Sequence, residues 1–152
     1  MRAFKPPAGF DVPASTKVVF LAGSIEMGLA DDWQAALTVV LQDLDVVVLN
    51  PRRDDWDSTW TQSIEDTRFR QQVSWELNGL DRADVIAMWF APSTRAPITL
   101  LELGLHARGG KLVVGCPPAF WRRGNIEVVC ARYTIALVAS WPEFVAAVQA
   151  RL

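Results

Sequence analysis

The stretch KVVFLAGSIEMG, residues 17–28, sets the frame for the whole chain: a short apolar run that ends abruptly in Gly23, Ser24 and Gly28. Five or six consecutive apolar residues are too few for a buried helix and read as a strand covered on both faces. The glycines after it suit a tight turn into a helix, where backbone N–H groups stand free to meet ligand oxygens. A turn with Ser24 capping the next helix explains the same residues without any ligand.

Four further runs of this kind follow: DVVVLN (45–50), ADVIAMWF (83–90), KLVVGC (111–116) and YTIALV (133–138). Helical stretches alternate with them. ADDWQAALTVVLQDL (30–44) opens on acidic residues that favour a helix N-terminus. SIEDTRFRQQVSWELNGL (63–80) carries Phe69, Val73, Leu77 and Leu80 at helical spacing. PITLLELGLHARGG (97–110) has proline at its start and Gly-Gly at its end, and WPEFVAAVQARL (141–152) again has proline in its first turn. PPAFWRRGNIEVVCAR (117–132) reads as a loop with room for a short helix.

Strand and helix in alternation predict an α/β fold: a doubly wound, five-stranded parallel sheet of flavodoxin-like order 2-1-3-4-5. A single domain is expected over 17–152, behind an irregular leader at 1–16. In such folds ligands bind beyond the carboxyl ends of the strands, where strand order reverses. Here that crevice falls between the first and third predicted strands, beside GSIEMGLADDW and APSTRAP.

The 152 residues, 51% hydrophobic and 21% charged, suit one compact domain with a real core. A formal net charge of -2 gives no electrostatic footprint for nucleic acid polymers or an anionic membrane. Cys116 and Cys130 lie fourteen apart, and His106 is the single histidine, so neither a zinc site nor a disulfide framework is expected. Two free thiols suit a reducing cytoplasm, and no apolar stretch reaches membrane-spanning length.

Several residues carry possible chemistry. Glu102 stands alone in the apolar run PITLLELGLHA, where burying a charge is costly unless it is paired or used. An ordinary i, i+4 pair with His106 and a desolvated carboxylate at the crevice are its two readings. Glu76, about one turn before the end of its predicted helix, reads either as a solvated face residue or as a carboxyl at the crevice rim. In NPRRDDWDSTW (50–60), Trp56 and Trp60 could stack on a base, and Arg52 and Arg53 could hold a phosphate or carboxylate. Alternatively these charges pair among themselves, the better reading for Arg53 and Asp55. Trp89 and Phe90 are candidates for base stacking or for the core.

Taken together and in order, FLAGSIEMG, NPRR..WD, F.QQVSWEL..L..ADVI, PITLLELGLHA and FWRRGNIEVVC resemble the nucleoside 2-deoxyribosyltransferase superfamily, in its nucleoside 2-deoxyribosyltransferase-like branch. The resemblance runs from about Lys17 to Val138. It implies that Glu102, the glutamate of the ELG helix, is a nucleophile that attacks the anomeric carbon of a nucleoside and forms a glycosyl-enzyme ester. Base or water then opens the ester, with net retention. It further implies that Glu76 handles protonation of the base and that Gly23 and Ser24 line the sugar pocket. Arg52 and Trp56 join the substrate residues. Asn125 is implied as a group lent by a neighbouring subunit, and hence a homo-oligomer, a dimer or higher. No metal or cofactor is implied, and the expected role is purine or pyrimidine salvage.

Two departures from the family pattern bear on substrate. Ala96 stands where classical transferases have a base-binding aspartate, so base recognition must differ. Glu26 stands where nucleotide N-glycosidases carry a phosphate-gripping arginine, which favours an unphosphorylated nucleoside unless Arg52 or Arg95 compensates. A nucleoside 5′-monophosphate N-glycosidase and a non-catalytic nucleotide-binding module are the alternatives.

Overall fold

The computed structural model describes residues 1–25, 31–55, 57 and 59–152. In chain order the elements are β1 (Arg2–Phe4), β2 (Lys17–Gly23), α1 (Trp33–Val40), β3 (Val46–Leu49), α2 (Thr67–Arg82), β4 (Val85–Trp89), α3 (Pro97–His106), β5 (Leu112–Gly115), α4 (Arg123–Tyr133), β6 (Ala136–Val138) and α5 (Trp141–Gln149).

The strands form one parallel sheet in the order β1-β3-β2-β4-β5-β6. The five strands expected from the apolar runs are all present in flavodoxin-like order. The sheet has a sixth, however. Arg2–Phe4 pairs with Val47–Leu49 at the edge, within the segment expected to be irregular. Three residues carry too little pattern to announce a strand; a free edge of backbone groups along β3 makes one.

Helices cover both faces, as an all-parallel sheet requires. Trp33 and Leu37 of α1 and Phe144 and Val148 of α5 pack on one face with Val19, Leu21, Val48 and Val113. On the other, residues of α2, α3 and α4 pack on Val18, Phe20, Met88 and Val114, with Phe4, Phe10 and Val12 of the N-terminal segment laid against them. Trp89 joins the first cluster and Phe90 the second, so both are core residues.

Local chemistry fixes the helix starts. Asp32 caps α1 by accepting from Ala35 N, and Asp66 caps α2 by accepting from Arg68 N and Phe69 N. Ser140 and Glu143 form a reciprocal capping box on α5. The segment after β5 holds a longer helix than expected, since α4 runs through Tyr133 and ends on Thr134 in the left-handed region, so β6 starts three residues later than the apolar run.

The inward face of α2 also differs from expectation. The apolar row Phe69, Val73, Leu77 lies towards the rim, with Leu77 43% exposed. The helix instead buries Gln72, Trp75, Gly79 and Leu80. Gly79 lets the helix settle onto the Phe20 ring, which a Cβ there would meet at 2.7 Å. Trp75 donates its indole N–H to the Ala8 carbonyl, 2.8 Å away, and stacks edge-on against Phe10. This roll of the helix turns Gln72 and Glu76, on the same side as Trp75 and Gly79, towards the interior.

Candidate active site

β2 and β4 lie side by side with their partner strands on opposite sides, so the reversal of strand order falls between them. At the end of β2, Gly23 has φ 154, and a Cβ there would meet both the Trp89 carbonyl and the Trp33 ring. Only glycine fits this approach. Ser24, 1% exposed, crosses the switch point: its N–H donates to the Trp89 carbonyl and its Oγ accepts from Ala91 N at 3.1 Å. The hydroxyls of Ser24 and Thr94 are 2.6 Å apart. Thr94 gives its own hydrogen to the Ala91 carbonyl at 2.8 Å, so Ser24 donates to Thr94. The start of α3 is thereby tied to the end of β2.

Pro97 begins α3, with Ala96 before it in the left-handed region at φ 46. The helix turns Thr99, Glu102 and Leu103 inwards. Glu102 is 8% exposed, and among the described residues its carboxyl forms no hydrogen bond or ion pair. It does not pair with His106. Burial lowers the histidine's pKa, with Asp81 and Lys111 acting on it in opposite directions. The pairing that would have made Glu102 an ordinary structural residue is absent, and its carboxyl is pushed up to about 8, first by burial and then by the charge of Glu76.

Glu76 reaches the same neighbourhood from α2. It is half-buried and its Oε1 accepts from Gln72 Nε2 at 2.8 Å. Burial raises its pKa, and the Gln72 hydrogen bond opposes that rise. Two carboxyls from different helices therefore act on one another in a weakly solvated place. Such a pair holds a proton at a pH where isolated glutamates have lost theirs, and it can offer a nucleophile and an acid together.

This coupling brings together two residues far apart in sequence, on helices that both pack on β2. A family model described as "Nucleoside 2-deoxyribosyltransferase like" matches residues 16–120, more than half of the chain. The chain belongs to the nucleoside 2-deoxyribosyltransferase-like family. Membership points to glycosyl transfer on a nucleoside, and so to a small-molecule nucleoside substrate. Among solved structures, the chain is similar to a conserved protein from Enterococcus faecalis V583, with TM-score 0.62 at 13% identity, over 91% of this chain and 100% of that one; the likeness is one of fold. A comparison with curated proteins finds no match.

Other residues of the nucleoside 2-deoxyribosyltransferase-like pattern take varied positions. The Arg52 guanidinium lies beside the Asp32 carboxylate at 3.7 Å and donates to the Asp31 carbonyl at 3.5 Å. Arg53 and Asp55 form a two-pronged pair at 2.8 and 2.9 Å, the pairing expected for them. Trp60 is 8% exposed beneath the guanidinium groups of Arg53 and Arg68, which fits packing rather than base stacking. Trp56, Glu26 and Gly28 lie outside the described residues. Asn125, exposed near the start of α4, borders a hollow of about 180 Å³ that it shares with Leu100, Leu103, Gly104, Ile126 and Val129.

The larger hollow, about 300 Å³, lies on the opposite face of the sheet between Trp33, Trp89 and Trp141. It holds neither glutamate. Among the described residues no group of three or more His, Cys, Asp or Glu is placed to hold a metal, and no helix is long and apolar enough to cross a membrane. The sequence reading missed Gln72 and Thr94, because an amide and a hydroxyl at those positions ordinarily face solvent.

Proposed function

We propose that this protein cleaves the N-glycosidic bond of a (deoxy)nucleoside through a covalent ester on Glu102. The observation that supports this best is the nearly buried carboxyl of Glu102, without a partner among the described residues and under the influence of Glu76. In the first step a Glu102 oxygen bonds to the anomeric carbon as the carbon–nitrogen bond breaks. The departing base keeps the electron pair and takes a proton from Glu76. In the second step water, or another base, attacks the same carbon from the face the first base left, and Glu76 takes up the incoming proton. Two inversions leave the configuration retained. Apolar surroundings suit both roles, since a poorly solvated carboxylate is the stronger nucleophile and a raised carboxyl the better-matched acid.

Gly23 and Ser24 would line the sugar side, at the end of β2. The Ser24 hydroxyl already serves Thr94 and Ala91, so its part is to shape the pocket and offer a lone pair. Arg52 would lie at the rim, with Trp56 as a further substrate residue. The Asp32 carboxylate offsets part of its charge, which favours an unphosphorylated substrate over a nucleoside monophosphate. Cytoplasmic salvage of purines or pyrimidines is the setting that suits such an enzyme.

A homo-oligomer completes the proposal. Ile98, Leu101 and Leu105 form an apolar row on the outer side of α3, each at least 58% exposed, with Val128 of α4 70% exposed on the neighbouring helix. A second copy covering this row would bring its Asn125 near α3.

The deciding experiment mixes wild type and Glu102→Ala with a panel of 2′-deoxynucleosides. Free base is followed by chromatography and the protein by intact mass spectrometry. Base release and a deoxyribosyl adduct in wild type, both lost in the variant, are expected. Base release that persists in Glu102→Ala would overturn the assignment of the nucleophile. Silence of the wild type on nucleosides and monophosphates alike would favour a non-catalytic binding module.

A further inference from the structure

Gln72 has no part in the chemistry above, yet it is 4% exposed and one of its amide atoms touches Glu76. Its Nε2 donates two hydrogen bonds, to the Pro51 carbonyl at 3.0 Å and to Glu76 Oε1 at 2.8 Å. Its Oε1 is buried and has no hydrogen-bond partner among the described residues.

The orientation of this amide is fixed by chemistry. The Pro51 carbonyl can only accept, so the group facing it must be NH₂. That carbonyl is itself held, because Asn50 N–H donates to the Phe4 carbonyl at 2.9 Å and Asn50 Oδ1 accepts from Arg52 N at 2.9 Å. A flip of the Gln72 amide would set two oxygens against each other. The NPRR loop therefore dictates, through Gln72, that Oε1 of Glu76 receives a hydrogen bond in every protonation state.

The geometry points to Gln72 as a positioning residue that confines the transferable proton of Glu76 to Oε2. With Oε1 held as an acceptor, a proton on this carboxyl resides on the other oxygen, which Gln72 does not engage. The same contact fixes the side-chain rotamer, so the acid meets the leaving base from one direction only. Without it the proton is shared between two oxygens and the carboxyl is free to turn. This inference rests on the proposed role of Glu76 as the acid, but the confinement itself is a property of the unliganded protein.

Gln72→Met keeps the side chain's length and removes both donors. The test compares the variant with wild type on two kinds of substrate: nucleosides whose base needs a proton to leave, and a deoxyriboside with an activated aryl leaving group that departs as an anion. The expected result is a loss of about tenfold to a hundredfold in kcat on the nucleosides, with the aryl substrate turned over at near the wild-type rate. Equal losses on both substrates would mean that Gln72 only supports the fold, and would overturn the inference. Infrared spectra of wild type, Gln72→Met and Glu76→Gln read the pair without any turnover. The carboxyl C=O band lost in Glu76→Gln should move or broaden in Gln72→Met. An unmoved band overturns the inference even if no nucleoside proves to be a substrate. A shifted band with no base release by wild type would instead leave Gln72 in place and overturn the enzymatic reading.

Discussion

The charge of Glu76 on α2 acts on the carboxyl of Glu102 on α3 and helps it retain its proton to about pH 8. Neither helix alone creates this relationship. It arises because α2 and α3 both pack on β2, each with a glutamate turned inwards.

Stability should record it. The folded pKa of Glu102 lies above its ordinary 4.5, so the folded protein binds the proton more tightly than the unfolded chain does. Burial of this group therefore lowers stability progressively from about pH 4.5 to about 8, and not below that range. Glu102→Gln removes the liability. Urea denaturation should show the variant gaining on wild type between pH 5 and pH 8, by up to about 4 kcal/mol, since each tenfold change in proton affinity is worth roughly 1.4 kcal/mol. A difference between variant and wild type that does not change with pH would contradict a proton held at Glu102.

Activity should fall on the alkaline side. The proposed reaction uses one proton shared by the pair, and the last proton leaves near pH 8. Above that point kcat/KM for a nucleoside is expected to drop about tenfold per pH unit. Glu76→Gln should lower kcat/KM by about 10²- to 10⁴-fold and remove the alkaline fall, since Glu102 then has no second carboxyl with which to share a proton. A wild-type profile flat to pH 10 would disprove the shared proton.

Ser24→Ala separates shape from chemistry at the switch point. The substitution leaves the buried Ala91 N–H without its acceptor and cuts the link to Thr94. A loss of about 1–3 kcal/mol in unfolding free energy is expected from the orphaned donor. Chemical denaturation measures it directly, and an unchanged midpoint would mean that the loop after β4 needs no such tie.

Two helix glycines should respond with opposite signs. Alanine is preferred over glycine in a helix by up to about 1 kcal/mol. At Gly104 nothing lies within 4 Å of the place a Cβ would take, so Gly104→Ala should raise the melting temperature. At Gly79 the same methyl meets the fully buried Phe20 ring at 2.7 Å. There overpacking, at about 1–3 kcal/mol, outweighs the propensity gain, and α2 must lift with Glu76 on it. Gly79→Ala should lose both stability and base release.

A second copy on α3 would make association sensitive to one side chain. Leu101→Lys places a charge in the middle of the exposed row Ile98, Leu101, Leu105. Light scattering should find the wild type oligomeric and the variant monomeric at micromolar concentration. A wild-type monomer would dispose of the subunit arrangement.

The order of elements, the parallel sheet and the point where strand order reverses were legible in the sequence alone. Each rests on local signals: doubly buried strands read as unbroken apolar runs, and Pro, Gly and acidic residues mark helix ends. The sequence also singled out Glu102, because one carboxylate among leucines breaks the pattern of its own helix. That Glu102 does not pair with His106 and answers to Glu76 instead follows from contacts between helices. The tertiary structure alone turned α2 so that Gln72 and Glu76 face inwards while Leu77 faces out. The apolar row on that helix voted for a different face, and what overruled it was the close seat of Gly79 on Phe20 and the anchoring of Trp75. It also made a strand of Arg2–Phe4 by offering it the open edge of β3. Local patterns report what each segment prefers; which polar groups end up together, out of water, depends on contacts between segments that no local pattern encodes.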